Sequence, residues 1–232
     1  ALPEQVIDDA ITSAFRSAGQ RCSALRVLFI QTDVADKMIG LLAGALQELK
    51  VGDPHDLATD VGPVIDEVAK AKIDRYVARL ETSATLVAKS PSVDPALSGY
   101  FVEPQAWEIG ALGELEEEIF GPILHIIRFD AEDLDTIIDD IRRSEFALTM
   151  GVHSRLRGLH ERFAKEHLVG NLYINRDTVG AVVGSNPFGG HGLSGTGPKA
   201  GGPNYLKRLV REHTVTDNVT ALGGNTALFN LM

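Results

Sequence analysis

The sequence predicts an α/β domain with a mostly parallel sheet flanked by helices. Segments whose apolar residues recur every three or four positions, as in amphipathic helices, alternate with short apolar runs that suit buried strands. Helices that alternate with strands in this way are typical of parallel sheets with right-handed crossovers. With 232 residues and 44% apolar side chains, the chain can form one main domain with a sizeable core.

Two helices and one strand are expected in the first quarter of the chain. The apolar spacing predicts a helix over residues 3–18, and Gly19 suits the position just after its end. Residues 24–30 are a short apolar run, which indicates a strand buried on both faces. A second helix is expected from 32 to 49, where the turn sequence at 51–54 ends it.

The middle of the chain is expected to hold one helix and three strands. Asp66 can cap a helix. Its buried face would carry four apolar residues, namely Val68, Ile73, Val77 and Leu80. Residues 84–89 and 100–102 are short strand candidates on either side of a turn-rich segment. The apolar run at 123–129 predicts another strand, and most carboxylates of the acidic run at 114–118 before it are expected to be solvated.

The last part of the chain alternates again and then becomes rich in glycine. The alternating elements are a helix at 131–143, a strand at 147–152, a helix at 156–168 and a strand at 171–174. The glycines of residues 180–202 exclude a helix interior there. Such a segment can line a ligand pocket or be a mobile surface loop, and composition alone slightly favours the surface loop. A helix at 205–212 and an extended tail are expected to follow.

Composition excludes several classes of function. The formal net charge is -10, from 22 basic and 32 acidic side chains, and this balance argues against nucleic acid as a partner. No run approaches the roughly 18 apolar residues of a membrane span, and residue 1 begins neither a signal nor a transit peptide, so we expect a cytoplasmic protein. The chain starts without Met, inside a helical pattern, and we interpret it as a piece of a longer polypeptide.

Metal and nucleotide motifs are not predicted. The seven histidines are scattered without the spacing of metal ligands, and one cysteine allows neither an internal disulfide nor a structural zinc site. The glycines at 189–192 and 195–197 superficially suggest a phosphate loop. They lack the Lys-Ser/Thr of that loop and the strand and helix of a dinucleotide fingerprint, so we reject both interpretations.

Cys22, the only cysteine, lies in the turn that leads into the predicted strand at 24–30. A catalytic thiol needs a site that lowers its pKa or a nearby base, together with donors for an oxyanion. Arg21 and Arg26 flank Cys22, but the sequence does not say where they point. Free cysteines are among the most buried residues in proteins, so the residues alone favour an inert thiol over a nucleophile.

Three separated motifs change that preference, because together they resemble one family, the aldehyde dehydrogenases. Residues 15–22 resemble its cysteine signature, residues 118–122 (EIFGP) resemble its cofactor-contacting segment, and residues 186–190 (NPFGG) with 194–195 resemble its substrate-side loop. Their order and spacing agree along nearly the whole chain. The resemblance implies the catalytic (cysteine) domain of the aldehyde dehydrogenase fold, with Cys22 as the nucleophile.

Within the family, the sequence is most similar to the L-glutamate γ-semialdehyde (Δ1-pyrroline-5-carboxylate) dehydrogenases, especially those in bifunctional proline utilization A proteins. The residues that carry this similarity are 19–26 (GQRCSALR), 180–184 (GAVVG) and 187–206, which include the KAGGP variant at 199–203. The tail with GGN at 223–225 also resembles the end of that family. The resemblance implies oxidation of L-glutamate γ-semialdehyde to glutamate in proline catabolism.

The resemblance also implies a mechanism and roles for particular residues. Cys22 would attack the aldehyde, the thiohemiacetal would lose hydride to the nicotinamide of NAD, and water would hydrolyse the thioester. The backbone N–H of Cys22 would help to hold the oxyanion. Glu118 matches the position that hydrogen-bonds the nicotinamide ribose, and Phe120 matches the one that packs beside it.

Other positions match the family's grip on the substrate. Ser23 and the backbone N–H groups of Gly201 and Gly202 match the groups that hold the α-carboxylate, and two glycines in sequence can face an anion closely. Phe188 is expected to contribute an apolar wall. No residue is expected to bind a metal.

Some parts of the family's machinery are expected to lie outside residues 1–232. Family members carry a Rossmann-like cofactor domain, an oxyanion-hole Asn and a Glu upstream of the cysteine domain, so we expect the fragment alone to be inactive and to bind NAD weakly. FAD is expected only if the parent carries a proline dehydrogenase domain. We assign residues 1–212 to the catalytic domain and 213–232 to an extended tail, whose apolar residues from 221 on are expected to contact another copy.

Two alternatives remain open from the sequence. One is a dehydrogenase of another small aldehyde, and the other is an aldehyde-dehydrogenase-like assembly module without catalysis. An intact cysteine motif argues against the second alternative, because a structural remnant need not keep its nucleophile.

Overall fold

The computed structural model describes residues 1–222 and confirms an α/β fold. The α-helices are α1 (Pro3–Phe15), α2 (Thr32–Glu48), α3 (Glu67–Ser83), α4 (Leu134–Ser144) and α5 (Arg157–Glu166). The strands are β1 (Val27–Gln31), β2 (Thr85–Lys89), β3 (Gln105–Glu108), β4 (Ile123–Phe129), β5 (Phe146–Ala147), β6 (Thr149–Val152), β7 (Asn171–Ile174) and β8 (His191–Gly192). Short 3-10 turns occur at Arg16–Gly19, Leu112–Glu114, Ala131–Asp133, Tyr205–Arg208 and Val219–Leu222.

The largest sheet has four strands in the order β1-β4-β3-β2. Strands β1, β4 and β3 are parallel, and β2 adds to the edge in the antiparallel direction. The first five residues of β4 are all buried, since neighbouring strands and helices cover this central strand. A continuous apolar run is what such a strand requires, and each fully buried Ile or Leu contributes about 1.5–3 kcal/mol to folding.

Two smaller sheets lie later in the chain. Strands β6 and β7 are parallel, whereas β5 and β8 are antiparallel and pair Phe146 with Gly192. This second pair returns the glycine-rich segment to the body of the protein. The sequence predicted one strand at 147–152, and the structure divides it between β5 and β6.

The core has two hydrophobic clusters. The larger one joins α1, α2 and α3 to the four-stranded sheet, and its fully buried members include Phe15, Leu42 and Ile126. The smaller one contains Ile138, Val152, Phe163 and Leu168. A polar contact also links the two regions, because His153 Nε2 at the end of β6 lies 2.8 Å from the buried carboxylate Oδ2 of Asp9 in α1.

Other predictions about elements were also wrong in part. Residues 100–102 were expected to form a strand, but the strand forms a few residues later, at β3. The residues of β3 pair with both β4 and β2. The helix expected at 205–212 is only a 3-10 turn at Tyr205–Arg208. Leu206 and Leu209 there are exposed, and a short helix that buries no face is not stable in water. Val68 was predicted to lie on the buried face of α3 but is 75% exposed. Tyr76 is buried on that face instead.

Candidate active site

Cys22 lies on the turn between α1 and β1, as the sequence predicted, and it is exposed, whereas the residues alone favoured a buried thiol. We call residues 16–26 the cysteine loop. Two backbone hydrogen bonds hold its second half, from Ala24 N–H to the Arg21 carbonyl (3.0 Å) and from Leu25 N–H to the Ser13 carbonyl in α1 (3.0 Å). The thiol is therefore accessible on a loop that is tied to buried elements on both sides.

The first half of the cysteine loop is a left-handed turn. The sequence predicted a helix to residue 18, but α1 ends at Phe15, and Ser17, Ala18 and Gly19 have φ values of 58°, 53° and 66°. A Cβ atom at Gly19 would overlap the carbonyl oxygen of Gly121 and lie 2.6 Å from its carbon. Glycine is therefore required at position 19 because two backbones touch there.

Arg26 joins the cysteine loop to residues 118–122. Its Nε donates to Glu118 Oε1 (3.1 Å), its Nη1 donates to the Gly121 carbonyl (3.3 Å), and its Nη2 donates to the Arg21 carbonyl (3.1 Å). The guanidinium carbon also lies 4.8 Å from the centroid of the Phe120 ring, within the range of a cation–π contact.

The electrostatics of Arg26 reflect this position. Burial lowers the pKa of its guanidinium, while the Glu118 carboxylate beside it and the nearby Cys22 thiol act in the opposite direction. The cation is half-buried, so the attraction between Arg26 and these two groups is screened less than at the surface. The structure thus brings Cys22, Glu118 and Phe120 together around one arginine.

The acidic run before β4 divides as the sequence suggested. Glu116 and Glu117 form exposed ion pairs with Arg79 and Lys72, at 2.8 and 2.7 Å. Glu118, by contrast, is half-buried against Arg26. Phe120 is 45% exposed, so part of its side chain is accessible to a ligand.

A residue that is distant in the sequence, Thr178, holds the backbone of Ser23. Its carbonyl accepts a hydrogen bond from Thr178 Oγ1 (2.8 Å), and Thr178 N–H donates to Ser13 Oγ (3.0 Å). Ser23 is only 7% exposed, yet among residues 1–222 no group is hydrogen-bonded to its hydroxyl. The backbone of Ser23 is therefore fixed while its hydroxyl can bind another group.

The glycine-rich segment folds back on itself around the other predicted substrate residues. Phe188 is half-buried and pairs through its backbone with Ala200 in both directions (3.0 and 2.8 Å). Gly201 has a φ of 71°, and Gly202 N–H donates to the Lys199 carbonyl (3.0 Å). In the described part of the chain, no hydrogen bond joins this turn directly to the cysteine loop, and the substrate roles of Ser23, Phe188, Gly201 and Gly202 stay predictions.

The glycine-rich segment touches the backbone of the chain at Gly170, just before β7. A Cβ at Gly170 would overlap the Gly189 carbonyl oxygen and lie 2.8 Å from its carbon. The buried Asn171 side chain then holds the segment, donating to the Pro187 carbonyl (2.9 Å) and accepting from Gly189 N–H (3.2 Å). The Lys199 ammonium donates to the Gly170 carbonyl and to Asn171 Oδ1, and burial lowers the pKa of Lys199. The segment is thus packed on β7 and does not extend freely as a surface loop.

Sequence reasoning missed four residues that organise this region. Arg26 was noticed without a role, while His125, Thr178 and Asn171 were not selected. His125 and Asn171 did carry a signal, because each is a polar residue inside a run that predicts a buried strand. A buried polar side chain needs a hydrogen-bond partner, so a polar residue inside such a run indicates a contact with another part of the chain.

Residues 1–222 contain neither a candidate membrane span nor a candidate metal-binding cluster. No helix there is both long and apolar enough to cross a membrane. No group of three or more His, Cys, Asp and Glu side chains in that range is placed to hold a metal ion.

The fold and the site together define a class: an α/β domain with a parallel sheet that presents an exposed thiol beside a carboxylate–arginine pair. Comparison with known families makes this specific. The sequence model of the aldehyde dehydrogenase family matches residues 2–215. The chain therefore belongs to the aldehyde dehydrogenase family, as the three motifs indicated.

Among curated proteins, the chain is 48% identical over 215 residues to bifunctional protein PutA of Escherichia coli (strain K12), which covers 90% of this chain and 16% of that protein. It is 37% identical over 216 residues to 1-pyrroline-5-carboxylate dehydrogenase of Geobacillus kaustophilus, covering 92% of this chain and 41% of that protein. The chain thus spans less than half the length of these relatives.

Solved structures agree with this fold. A crystal structure of a Bradyrhizobium japonicum proline utilization A variant has a TM-score of 0.89 and 56% identity, covering 96% of this chain and 23% of that one. A 1-pyrroline-5-carboxylate dehydrogenase from Thermus, solved with bound NAD, has a TM-score of 0.81 and 32% identity, covering 89% of this chain and 40% of that one.

Proposed function

We propose that this chain is the catalytic segment of an NAD-dependent dehydrogenase that oxidises L-glutamate γ-semialdehyde to L-glutamate in proline catabolism. The observation that carries the proposal is the set of Arg26 contacts, which join Glu118 and Phe120 to the carbonyl of Arg21, the residue before the exposed Cys22. Relatives named 1-pyrroline-5-carboxylate dehydrogenase support the choice of substrate.

Cys22 would act as the nucleophile. Its sulfur would form a bond to the aldehyde carbon, and its backbone N–H would donate to the oxygen that becomes negative. The Arg21 carbonyl accepts hydrogen bonds from Arg26 Nη2 and from Ala24 N–H. In a trans peptide the C=O and N–H groups point in opposite directions, so these two bonds also fix the direction of the Cys22 N–H.

Glu118 and Phe120 fit a nicotinamide cofactor. The half-buried Glu118 carboxylate can accept a hydrogen bond from a ribose hydroxyl, and the exposed part of Phe120 can pack against a flat ring. Bound NAD would supply the acceptor for the hydride. Arg26 contacts both of these residues and also the Arg21 carbonyl next to Cys22. The same side chain would therefore position the cofactor and the thiol.

The substrate's carboxylate would be bound by the Ser23 hydroxyl and by the turn at Gly201 and Gly202. Of the two backbone donors, Gly202 N–H already donates to the Lys199 carbonyl, so Gly201 N–H is the one that can serve an anion without rearrangement. Phe188 would provide an apolar wall next to them. These three roles require the turn to approach the cysteine loop in the complete protein.

The first experiment replaces the nucleophile in the full-length protein. Cys22→Ala is expected to abolish NADH formation from the semialdehyde, a loss on the order of 10⁴-fold or more, as for other nucleophiles. Unfolding by heat should be unchanged, because Cys22 is exposed. A Cys22→Ala protein that still reduces NAD at a rate near that of the parent would remove the proposed mechanism.

The second experiment tests the substrate. Ser23→Ala should lower kcat/KM for the semialdehyde by about 10- to 100-fold, because a hydrogen bond to a charged group contributes about 1.5–3 kcal/mol. An uncharged aldehyde of similar length should be affected much less. Ser90→Ala is the matched control, since Ser90 is similarly buried and its hydroxyl donates only to the adjacent Pro91 carbonyl. Equal losses for both aldehydes would exclude the carboxylate assignment.

Three further expectations complete the proposal. Calorimetry of residues 1–232 with NAD should show no micromolar binding. The cytoplasmic location stays a prediction. The oligomer contact through residues 221–232 lies mostly outside the described residues, but the exposed side chains Leu206, Leu209, Val210 and Val215 precede it. Deletion of residues 221–232 should lower the mass in gel filtration, and an unchanged mass would contradict this contact.

A further inference from the structure

A buried polar pair lies directly behind the candidate active site. His125 is in the middle of β4 and is 3% exposed. Its Nε2 lies 2.7 Å from Tyr76 Oη in α3, and its Nδ1 lies 2.8 Å from the Arg26 carbonyl oxygen. The backbone N–H of His125 donates to the same Arg26 carbonyl at 2.9 Å.

These partners determine the tautomer of His125. A carbonyl oxygen can only accept, so Nδ1 carries the proton, and in the neutral ring Nε2 accepts from the Tyr76 hydroxyl. Burial lowers the pKa of His125, and the cations Arg26 and Arg79 act in the same direction. The imidazole is therefore neutral, with one tautomer and one orientation.

Tyr76 is fixed in turn by its surroundings. Its ring meets the imidazole edge to face, with centroids 5.7 Å apart at 88°. The Arg79 guanidinium lies 4.9 Å from the Tyr76 ring centroid and forms an ion pair with Glu116 at 2.8 Å. The Tyr76 hydroxyl therefore points at His125 from a position that α3 and the acidic run both hold.

The Tyr76–His125 pair fixes the backbone of Arg26. Two donors from one residue fix its carbonyl at the entrance of β1, and the register of β1 and β4 places Val27 opposite His125. The Arg26 side chain starts from this fixed backbone and reaches Glu118, Gly121 and the Arg21 carbonyl. Long side chains lose conformational entropy when they are held, so a fixed starting point makes three simultaneous contacts easier to form.

We infer that Tyr76, His125 and Arg26 are positioning residues: the Tyr76–His125 pair holds the Arg26 backbone so that its guanidinium aligns both the Cys22 peptide and Glu118. The effect on catalysis rests on the proposed function. The effect on the environment of the Cys22 thiol does not, because it needs no turnover.

The experiment compares four variants of the full-length protein. Tyr76→Phe removes one hydroxyl, and Arg26→Lys keeps the positive charge but cannot make the three contacts of a guanidinium. The matched controls are Tyr173→Phe and Arg128→Lys. Tyr173 is as buried as Tyr76, at 5%, but its hydroxyl has no partner within residues 1–222, and Arg128 pairs with Glu108 and Asp36 instead.

Two measurements separate positioning from general stability. The first is kcat and KM for NAD. The second is the pH dependence of alkylation of Cys22 by iodoacetamide, quantified by mass spectrometry of the tryptic peptide of residues 22–26. Tyr76→Phe should lower kcat/KM about tenfold, as expected when one buried hydrogen bond is lost, and Arg26→Lys should lower it further. Both should change the alkylation profile, because the Arg26 guanidinium no longer holds the cysteine loop in place.

The controls should leave both measurements at wild-type values. An alkylation profile of Tyr76→Phe identical to wild type would overturn the inference, as would an Arg26→Lys protein with unchanged KM and alkylation. If Arg26→Lys does not fold, the profile of Tyr76→Phe alone decides. A wild-type protein that fails to reduce NAD would sink the proposed function, while the alkylation comparison would still test the positioning role.

Discussion

Gly19→Ala is predicted to destabilise the protein by breaking the contact between the cysteine loop and residues 118–122. The added methyl group would overlap the Gly121 carbonyl oxygen, lie 2.6 Å from its carbon and lie 3.0 Å from the Ala14 carbonyl oxygen. All three atoms belong to the backbone, so no side chain can rotate away. Gly19 also has a φ of 66°, a conformation that alanine adopts reluctantly.

The cost has two parts. The left-handed backbone costs alanine about 1–2 kcal/mol relative to glycine, and forcing a methyl group into a packed contact costs about 1–3 kcal/mol more. We therefore expect the free energy of unfolding to fall by about 2–5 kcal/mol. That is a large part of the stability of a typical domain.

Urea unfolding of the 232-residue chain, followed by tryptophan fluorescence, measures this change. Trp107 is the only tryptophan, and it is buried in the main core. Gly44→Ala is the matched control, because Gly44 lies in α2 and a methyl group there would meet no atom within 4 Å. Alanine favours a helix over glycine, so this control should raise the free energy of unfolding by about 0.5–1 kcal/mol.

A Gly19→Ala chain as stable as wild type would refute the reasoning. It would mean that the two backbones do not touch, or that residues 16–19 are not left-handed. A loss in both variants would instead show that any methyl group is harmful, and the contact between positions 19 and 121 would then have no support.

Two other predictions follow from buried polar groups. Asn171→Leu should release Pro187 and Lys199 from their hydrogen bonds, so limited trypsin digestion should cleave after Lys199 faster than in wild type, and an unchanged rate would contradict the role of Asn171. His125 has a lowered pKa, so the folded state binds fewer protons than the unfolded state. Its contribution to stability is therefore complete above the ordinary value of about 6.5 and is lost as pH falls below it. In His125→Gln, the free energy of unfolding should change less between about pH 7 and pH 5 than in wild type, and equal slopes would contradict this.

The elements that could be predicted from the sequence are those with a strong local pattern. The run at 123–129 is β4 to the residue, because a central strand in a parallel sheet is apolar on both faces. Asp66 was expected to cap α3, and its carboxylate does accept from Ala69 N–H at 2.7 Å. In both cases neighbouring residues in the chain contain the whole signal.

Elements that depend on distant partners could not be predicted in this way. The segment at 100–102 is more apolar than β3, yet the strand forms where β4 provides a ladder, with Gln105 and Trp107 inside it. The positions of Cys22, Glu118 and Phe120 in the candidate site came from a family resemblance. The Arg26 contacts with Glu118, Phe120 and the Arg21 carbonyl next to Cys22 required the structure, because periodicity carries no information about which loops meet.

The Arg26 contacts also set the order in which the thiol can acquire its surroundings during synthesis. Arg26 and Glu118 are 92 residues apart in the chain, and the Arg26 and His125 contacts span 99 residues. A nascent chain that ends before residue 118 has made Cys22 without the carboxylate, the imidazole or the strand β4 that later contact Arg26. The surroundings of the thiol are therefore completed late, when the chain has closed a long loop, and a shortened protein would carry the cysteine motif without these contacts.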